Sequence, residues 1–145
     1  ALMAYLLDVS VVIALIDRTH VAHEAVNRWF ADASPVGWAT CPIVENGVIR
    51  IVSQPSYPNV QASPSIVAAA VRKLCDLRGH EFWPDSLSLI RSAVFDSQRL
   101  MSAQHITDTY LLGLAASRGG KLATLDRRII AGAVKDGPKH IEHIV

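Results

Sequence analysis

Short apolar runs alternate with longer amphipathic stretches along this chain of 145 residues. The run from Tyr5 to Leu7 is closed by Asp8, and the residues from Val9 to Ile16 are again almost all apolar. This continuous pattern predicts a central parallel strand that runs directly into a buried helix. Similar short runs recur later and predict four more strands, over residues 37–40, 81–83, 121–124 and 141–145.

The stretches between these runs predict helices, because they combine helical spacing of apolar residues with capping residues. Thr19, Thr107 and either Ser63 or Ser65 are the predicted N-caps, and the pair Gly119–Gly120 is the predicted end of the last helix. Strands that alternate with helices favour one three-layer α/β domain with a mostly parallel sheet. The predicted helices cover about residues 20–31, 42–53, 63–77 and 108–118, with a helical segment somewhere within 84–97.

Composition narrows the class of protein. Half of the residues are hydrophobic, 19% are charged and the formal net charge is +1. These values are typical of a compact domain, without the basic excess of a protein that holds nucleic acid by charge alone. Cys41 and Cys75 have no zinc-binding spacing, and their apolar neighbours predict buried free thiols. The chain has neither a leader pattern nor a membrane-length apolar run, so we expect a cytoplasmic protein that enters no membrane.

Four acidic residues fall at corresponding places on this predicted frame. Asp8 and Asp126 each follow a predicted strand, whereas Glu45 and Asp108 lie near the starts of predicted helices, on their apolar faces. In an open α/β sheet, ligands bind in the crevice outside the carboxyl ends of the strands. We therefore expect the four carboxylates to lie near one edge of the sheet.

Carboxylates that gather in a partly buried place repel one another, so they must take up protons or bind cations. Oxygen ligands without a convincing cysteine or histidine set favour Mg²⁺ or Mn²⁺ over zinc. Such ions can activate a water and stabilise the leaving oxygen of a phosphodiester. Ser10 and Thr124 lie two residues from Asp8 and Asp126 respectively, and their hydroxyls can either orient a carboxylate or serve as ordinary caps.

Each acid also has a simpler interpretation. Asp8, Asp108 and Asp126 are each predicted at a helix start, where capping is the better explanation for any one of them alone. Glu45 resists that explanation, because an acid on an apolar helix stripe is unusual without a partner. The combination of the four acids therefore favours a metal site.

Four segments carry a resemblance to a known family: LLDVSVVIAL around Asp8, CPIVENGVIRIV around Glu45, ITDTYLLGLA around Asp108 and LATLDRRI around Asp126. They resemble the PIN-domain ribonucleases, and more closely the VapC toxins of bacterial toxin–antitoxin pairs. The resemblance spans nearly all of residues 1–145 and implies a single PIN domain, with a three-layer α/β/α fold and a five-stranded parallel sheet.

The resemblance also implies an activity, namely Mg²⁺- or Mn²⁺-dependent endonucleolytic cleavage of RNA, with structured RNA such as tRNA or rRNA as the target. It further implies a homodimer that a cognate VapB-like antitoxin holds inactive. In the family the first three acids are the core metal ligands, the fourth varies in role, and two hydroxyl residues support them. The matching positions here are Asp8, Glu45, Asp108, Asp126, Ser10 and Thr124.

Two other interpretations stay open. A receiver-type phosphoacceptor domain also gathers acids around Mg²⁺, but it needs paired acids early in the chain, and Asp8 has no acidic neighbour. A catalytically silent PIN module that binds RNA or protein would be marked by the loss of an acid, and none is missing. His105 and the pair Arg127–Arg128 lie near the proposed site, and solvent-exposed side chains are the expectation for them.

Overall fold

Five strands and five α-helices lie along residues 3–144, the part of the chain that this computed structural model describes. Val145, the predicted end of the last strand, lies outside the described residues. The strands are β1 Tyr5–Leu7, β2 Trp38–Thr40, β3 His80–Phe82, β4 Lys121–Thr124 and β5 Ile141–His143. The helices are α1 Val9–Ile16, α2 His23–Ala33, α3 Pro42–Val52, α4 Pro64–Cys75 and α5 Ile106–Ser117. Short 3₁₀ turns cover Ser97–Arg99, Ala103–His105 and Gly137–His140.

The five strands form one parallel sheet in the order β3-β2-β1-β4-β5. β1 is central, because Tyr5 pairs with Trp38 of β2 on one side and with Lys121 of β4 on the other. The chain moves outward from β1 to β3 and then returns to the opposite side of β1. Such a reversal opens a crevice outside the carboxyl ends of β1 and β4, where Asp8 and Asp126 lie.

Helices cover both faces of this sheet. α1 packs against α2, α3 and α4, whereas α5 packs against β1 and β4. α5 lies on the face of the sheet opposite to α1. The chain runs from β1 outward to β3 and then back past β1 to β4, and right-handed crossovers in these two directions place their helices on different faces. Leu6, Leu7, Leu112 and Leu122 are almost completely buried between the layers, and burial of each such side chain contributes roughly 1.5–3 kcal/mol. The predicted three-layer α/β/α fold is confirmed. No helix within residues 3–144 has the length and apolar character needed to cross a membrane.

The predicted helix caps have mixed outcomes. Ser63 is confirmed as the N-cap of α4, where its hydroxyl accepts a hydrogen bond from the Ile66 amide. Thr19 is wrong as a cap, because its hydroxyl donates to Asp17 at 2.9 Å and α2 begins four residues later. Thr107 is also wrong, because α5 already begins at the preceding residue.

The predicted helical segment within residues 84–97 is wrong. Its backbone closes only isolated turns, such as the Ser92 amide on the Ser88 carbonyl at 2.9 Å, and otherwise bonds to the loop after β4. The Asp96 amide donates to the Ala133 carbonyl at 2.8 Å, and the Lys135 amide donates to the Val94 carbonyl at 2.9 Å. These partners lie some forty residues further along the chain, so local spacing does not predict them.

The two glycines after α5 are needed for different reasons. Gly119 has φ +70°, the left-handed conformation that was predicted for a helix stop. Gly120 lacks that conformation, but a Cβ there would overlap the carbonyl oxygen of Ala4. That oxygen accepts a hydrogen bond from the Lys121 amide at 3.1 Å. Gly120 therefore lets the start of β4 lie directly beside the start of β1.

Candidate active site

Asp8 lies at the junction of β1 and α1, where it ends the strand and caps the helix. Its Oδ1 accepts hydrogen bonds from the Val11 amide at 2.9 Å and from the Ser10 hydroxyl at 2.6 Å. The residue is only 4% exposed. Asp8 is therefore a helix cap, and Ser10 contacts and orients its carboxylate.

The charge of Asp8 is not compensated by its surroundings. Burial raises the pKa of its carboxyl to about 6, and the nearby charge of Asp108 is a smaller cause in the same direction. Hydrogen bonding from the Ser10, Thr124 and Val11 groups lowers the pKa, but does not offset burial. A helix cap alone does not require a buried carboxylate, because serine or asparagine caps as well.

The charge of Asp108 acts on this buried carboxylate, and the charge of Asp126 acts on Asp108. Asp108 is in the first turn of α5, and its pKa is raised by burial and then by the charge of Asp126. The pKa of Asp126 is lowered, chiefly because its carboxylate accepts a hydrogen bond from the Arg128 amide at 2.8 Å. The charge of His105, at the N-terminus of α5, is a smaller cause that acts to lower the pKa of each of these two acids. Asp8, Asp108 and Asp126 are thus linked in sequence by their charges at the carboxyl edge of the sheet.

Thr124, the last residue of β4, connects this group. Its hydroxyl is fully buried and accepts a hydrogen bond from the Asp126 amide at 3.0 Å. The same hydroxyl acts on Asp8, whose pKa it lowers. The turn that carries Asp126 is therefore fixed relative to Asp8. The capping interpretation is wrong for Asp126, because a turn and not a helix follows it.

Glu45 lies in the first turn of α3, but its carboxylate is directed toward β2 and β3. The Thr40 hydroxyl donates to Glu45 Oε2 at 2.7 Å, and the same hydroxyl oxygen lies 2.7 Å from His80 Nε2. The charge of Glu45 also acts on Cys75. These contacts lie beside β2 and β3, and His80 is at the amino end of β3, whereas Asp8 and Asp126 follow β1 and β4 and Asp108 begins α5.

The group at β1 and β4 suits a hard divalent cation. Its three carboxylates supply only oxygen donors, which Mg²⁺ and Mn²⁺ prefer. The raised pKa values of Asp8 and Asp108 mean that a bound cation would stabilise their ionised forms. Ser10 and Thr124 hold the group in place, as groups behind metal ligands commonly do.

Two residues beside this edge were not predicted as part of it. Asp85 follows β3, and its Oδ2 accepts a hydrogen bond from the Ile43 amide at 3.2 Å at the start of α3. Asp85 and Thr107 line a cleft of about 320 Å³. The sequence signal for Asp85 was an acid just after a predicted strand. The helix wrongly predicted within residues 84–97 obscured this signal. His105 was expected in solvent, but it is half-buried and its charge acts on two of the acids.

Comparison with known proteins decides the family. Residues 5–135 match the PIN domain. The chain is 43% identical over 140 residues to Ribonuclease VapC44 of Mycobacterium tuberculosis, a match that covers 94% of this chain and 96% of that protein. The chain belongs to the VapC family of PIN-domain ribonucleases. Ribonuclease VapC39 of the same organism, another VapC protein, is 42% identical over 131 residues, which cover 90% of this chain and 94% of VapC39.

A solved VapC structure has the same architecture. The crystal structure of Mycobacterium tuberculosis VapC20, described as a Sarcin-Ricin loop cleaving toxin, matches with a TM-score of 0.58 at 13% identity. The match covers 91% of this chain and 97% of VapC20, and at this identity it shows the fold alone. The predictions of a VapC-type PIN domain and of an endoribonuclease are confirmed.

Proposed function

We propose that this VapC-family ribonuclease is the toxin of a type II toxin–antitoxin pair and cleaves structured RNA with Mg²⁺ or Mn²⁺. The observation that carries the metal dependence is the buried carboxylate of Asp8, whose pKa burial raises to about 6 beside Asp108. A buried charge of this kind favours a cationic partner. The identity to curated VapC ribonucleases supports RNA as the substrate.

In this proposal the metal ligands are the four predicted acids. Asp8, Asp108 and Asp126 would hold the ion at the ends of β1 and β4. Glu45 would complete the set by turning its carboxylate away from Thr40, from which it now accepts a hydrogen bond. When bound, the ion lowers the pKa of a water and stabilises negative charge on the phosphodiester.

The remaining polar groups would position the carboxylates and the RNA. Ser10 and Thr124 keep Asp8 and the Asp126 turn in place. Beside Asp126 is a cleft of about 290 Å³, lined by Gln104, His105, Asp126 and Arg128. The Arg128 side chain is 88% exposed, so its guanidinium can contact a phosphate while its amide holds Asp126. We assign this cleft to the RNA backbone beside the bond that is cut.

Looped regions of a structured RNA, such as tRNA or rRNA, are the proposed targets. The acids lie in a crevice at the sheet edge, which a closed A-form duplex cannot enter, whereas a loop exposes its backbone. The net charge of +1 means that binding depends on local cations such as Arg127 and Arg128.

The proposed partners are a second copy of this chain and a cognate VapB-like antitoxin. Both follow from membership of the VapC family, and the proposed site of action is the cytoplasm, where RNA is present. A small antitoxin-like reading frame beside the gene would support the pairing. Co-expression of that frame should restore growth to cells that stop growing when this chain alone is induced.

The metal-dependent reaction is tested by incubating structured RNA with the chelator-treated protein and mapping the RNA ends. Cleavage should require added Mg²⁺ or Mn²⁺ and should stop when chelator is added back. Asp8→Asn should lower the rate at least about 100-fold, which corresponds to roughly 3 kcal/mol of lost stabilisation of the transition state. Equal cleavage by wild type and Asp8→Asn would contradict the assignment. Metal uptake without cleavage of any RNA would instead favour a silent binding module.

A further inference from the structure

A second set of metal-binding side chains surrounds Glu45, beside β2 and β3. One carboxylate oxygen of Glu45, the Sγ of Cys75 and a ring nitrogen of His80 all lie within 4.8 Å of one another. The three residues come from the first turn of α3, the last residue of α4 and the first residue of β3. We propose that they form a binding site for a thiophilic divalent cation such as Zn²⁺.

The donor set of this site differs from that of the acidic edge. A thiolate, an imidazole and a carboxylate are the usual protein ligands of Zn²⁺, whereas Mg²⁺ takes oxygen ligands. On binding, Cys75 releases its thiol proton to solvent, and His80 binds through the lone pair of its neutral ring. Three protein ligands leave a fourth tetrahedral position for a water. All three residues are half-buried, so an ion can reach them from solvent.

The ligand atoms are already gathered around one hydroxyl. Thr40 Oγ1 is fully buried and lies 2.7 Å from Glu45 Oε2, 2.7 Å from His80 Nε2 and 3.8 Å from Cys75 Sγ. The His80 ring also packs on Trp38, with 4.7 Å between ring centroids. Zn²⁺ bonds of about 2.0–2.3 Å place tetrahedral ligands roughly 3.5 Å apart, so ligand atoms within 4.8 Å of one another need to contract by no more than about 1.3 Å. The Thr40 hydroxyl must also rotate out of the space between them.

The site has a regulatory consequence, which rests on the proposed function. Glu45 is also a proposed ligand of the catalytic ion. An ion held by Cys75 and His80 would fix the Glu45 carboxylate near Thr40 and keep it from joining Asp8 and Asp108. Zn²⁺ would therefore inhibit RNA cleavage by removing a ligand from the catalytic site, without occupying that site itself.

Cobalt is the probe for the site, because Co²⁺ bound to a thiolate gives a charge-transfer absorption that oxygen ligands do not give. The chelator-treated full chain should bind one Co²⁺ with this absorption. Cys75→Ser should abolish the absorption, and His80→Gln should weaken Co²⁺ binding at least tenfold. Cys41→Ala removes the other free cysteine and should leave the spectrum unchanged. Circular dichroism of each variant checks that it is folded.

The outcomes decide the site independently of any nuclease assay. Absorption that persists in Cys75→Ser, or its absence from the wild type, overturns the site. Asp8→Asn should keep the absorption, so a failure of the proposed catalytic metal site leaves this result intact. In RNA cleavage with Mg²⁺, one equivalent of Zn²⁺ should slow the wild type at least tenfold and leave Cys75→Ser unaffected. Equal inhibition of both proteins would show that Zn²⁺ does not inhibit cleavage by holding Glu45 away from the catalytic site.

Discussion

The buried carboxylate of Asp8 should make the metal-free protein less stable as the pH rises. Its folded pKa of about 6 lies above the ordinary value of 3.8, so the folded state keeps a proton that the unfolded state releases. This stabilisation is complete below pH 3.8 and is lost as the pH rises through 6, a decrease of up to about 3 kcal/mol in the free energy of unfolding. Urea denaturation in chelator between pH 4 and pH 7 measures it.

Asp8→Asn is the matched control for this pH dependence. Asparagine caps a helix about as well as aspartate, so α1 should stay intact while the titrating group is removed. The decrease in the free energy of unfolding between pH 4 and pH 6 should disappear. Mg²⁺ at pH 7 should then stabilise the wild type and not the variant. An unchanged pH dependence in Asp8→Asn would show that the Asp8 carboxyl is not the group responsible.

At the scale of single residues, the sequence predicted where the acids lie along the chain, but not where each carboxylate points. Asp8 and Asp126 follow β1 and β4, and Asp108 is in the first turn of α5, so strand ends and helix starts determine their positions, while their joint role in a metal site stays a prediction. The direction of the Glu45 side chain depends on Thr40 and His80. These two become neighbours only when β2 and β3 pair, so spacing around Glu45 contains no signal for them.

A single buried carboxylate joins the end of α1 to the loop after α3. Asp17 accepts hydrogen bonds from the Tyr57 hydroxyl, from the Asn59 side chain at 2.8 Å and from the Thr19 amide at 3.0 Å. Burial raises the pKa of Asp17, but these hydrogen bonds outweigh it and lower the pKa to about 2. The loop, which the sequence described only as aperiodic and proline-rich, therefore has one defined attachment.

Tyr57→Phe should weaken this attachment. Loss of a hydrogen bond to a buried charged group should lower the free energy of unfolding at pH 7 by about 1.5–3 kcal/mol. Because the pKa of Asp17 is depressed, its stabilisation is present above pH 3.8 and is lost as the pH falls toward 2. The difference in the free energy of unfolding between wild type and variant should therefore become smaller at low pH. Urea denaturation at pH 7 and pH 3 checks both points, with Tyr5→Phe as the control for loss of a hydroxyl elsewhere.

The junction of α5 and β4 allows a test of how closely β4 must approach β1. Gly120→Ala places a methyl group against the Ala4 carbonyl oxygen, and the backbone must move to accommodate it. We expect a loss of roughly 1–3 kcal/mol in the free energy of unfolding, by analogy with overpacked cores. Gly132→Ala is the control, because a Cβ there meets nothing within 4 Å, and it should be neutral or slightly stabilising. Thermal denaturation that ranks the two variants in the opposite order would contradict this account.

Among the elements, local periodicity was reliable where an element packs by its own apolar face. The runs over β1 and β4 were predicted at their observed bounds, and α3 within one residue of its observed end. The prediction failed within 84–97, because the backbone partners of that stretch lie around residues 133–135. A stretch whose conformation depends on long-range hydrogen bonds gives little local signal of it.

For the whole molecule, a net charge of +1 predicts that RNA affinity depends on few cations. In the cleavage-deficient Asp8→Asn background, Arg128→Gln should lower RNA affinity and reduce the slope of log K against log salt by about 0.7, the value for one phosphate contact on a single strand. Filter binding across a salt series measures this slope. Arg72→Gln makes the same charge change at an exposed position of α4 and should leave the slope unchanged.

The overall architecture was predictable for a reason that concerns the molecule as a whole. Alternating strands and helices allow few arrangements, and the order of the four acids matched one family over nearly the whole chain. The fifth acid at this edge, Asp85, was missed because its place depends on β3, an edge strand of three residues. Short edge strands carry the weakest periodic signal, and the residues after them are the hardest to place.

The pairing of β1 with β4 has a consequence for the newly made protein. Tyr5 is synthesised long before its neighbour Lys121, because most of the described chain lies between them. Asp8 can therefore meet Asp108 and Asp126 only after synthesis is nearly complete, since contacts of such sequence separation form late. A chain that has not yet reached β4 lacks Asp126 and the strand that places it beside β1. The proposed site therefore forms only late in translation.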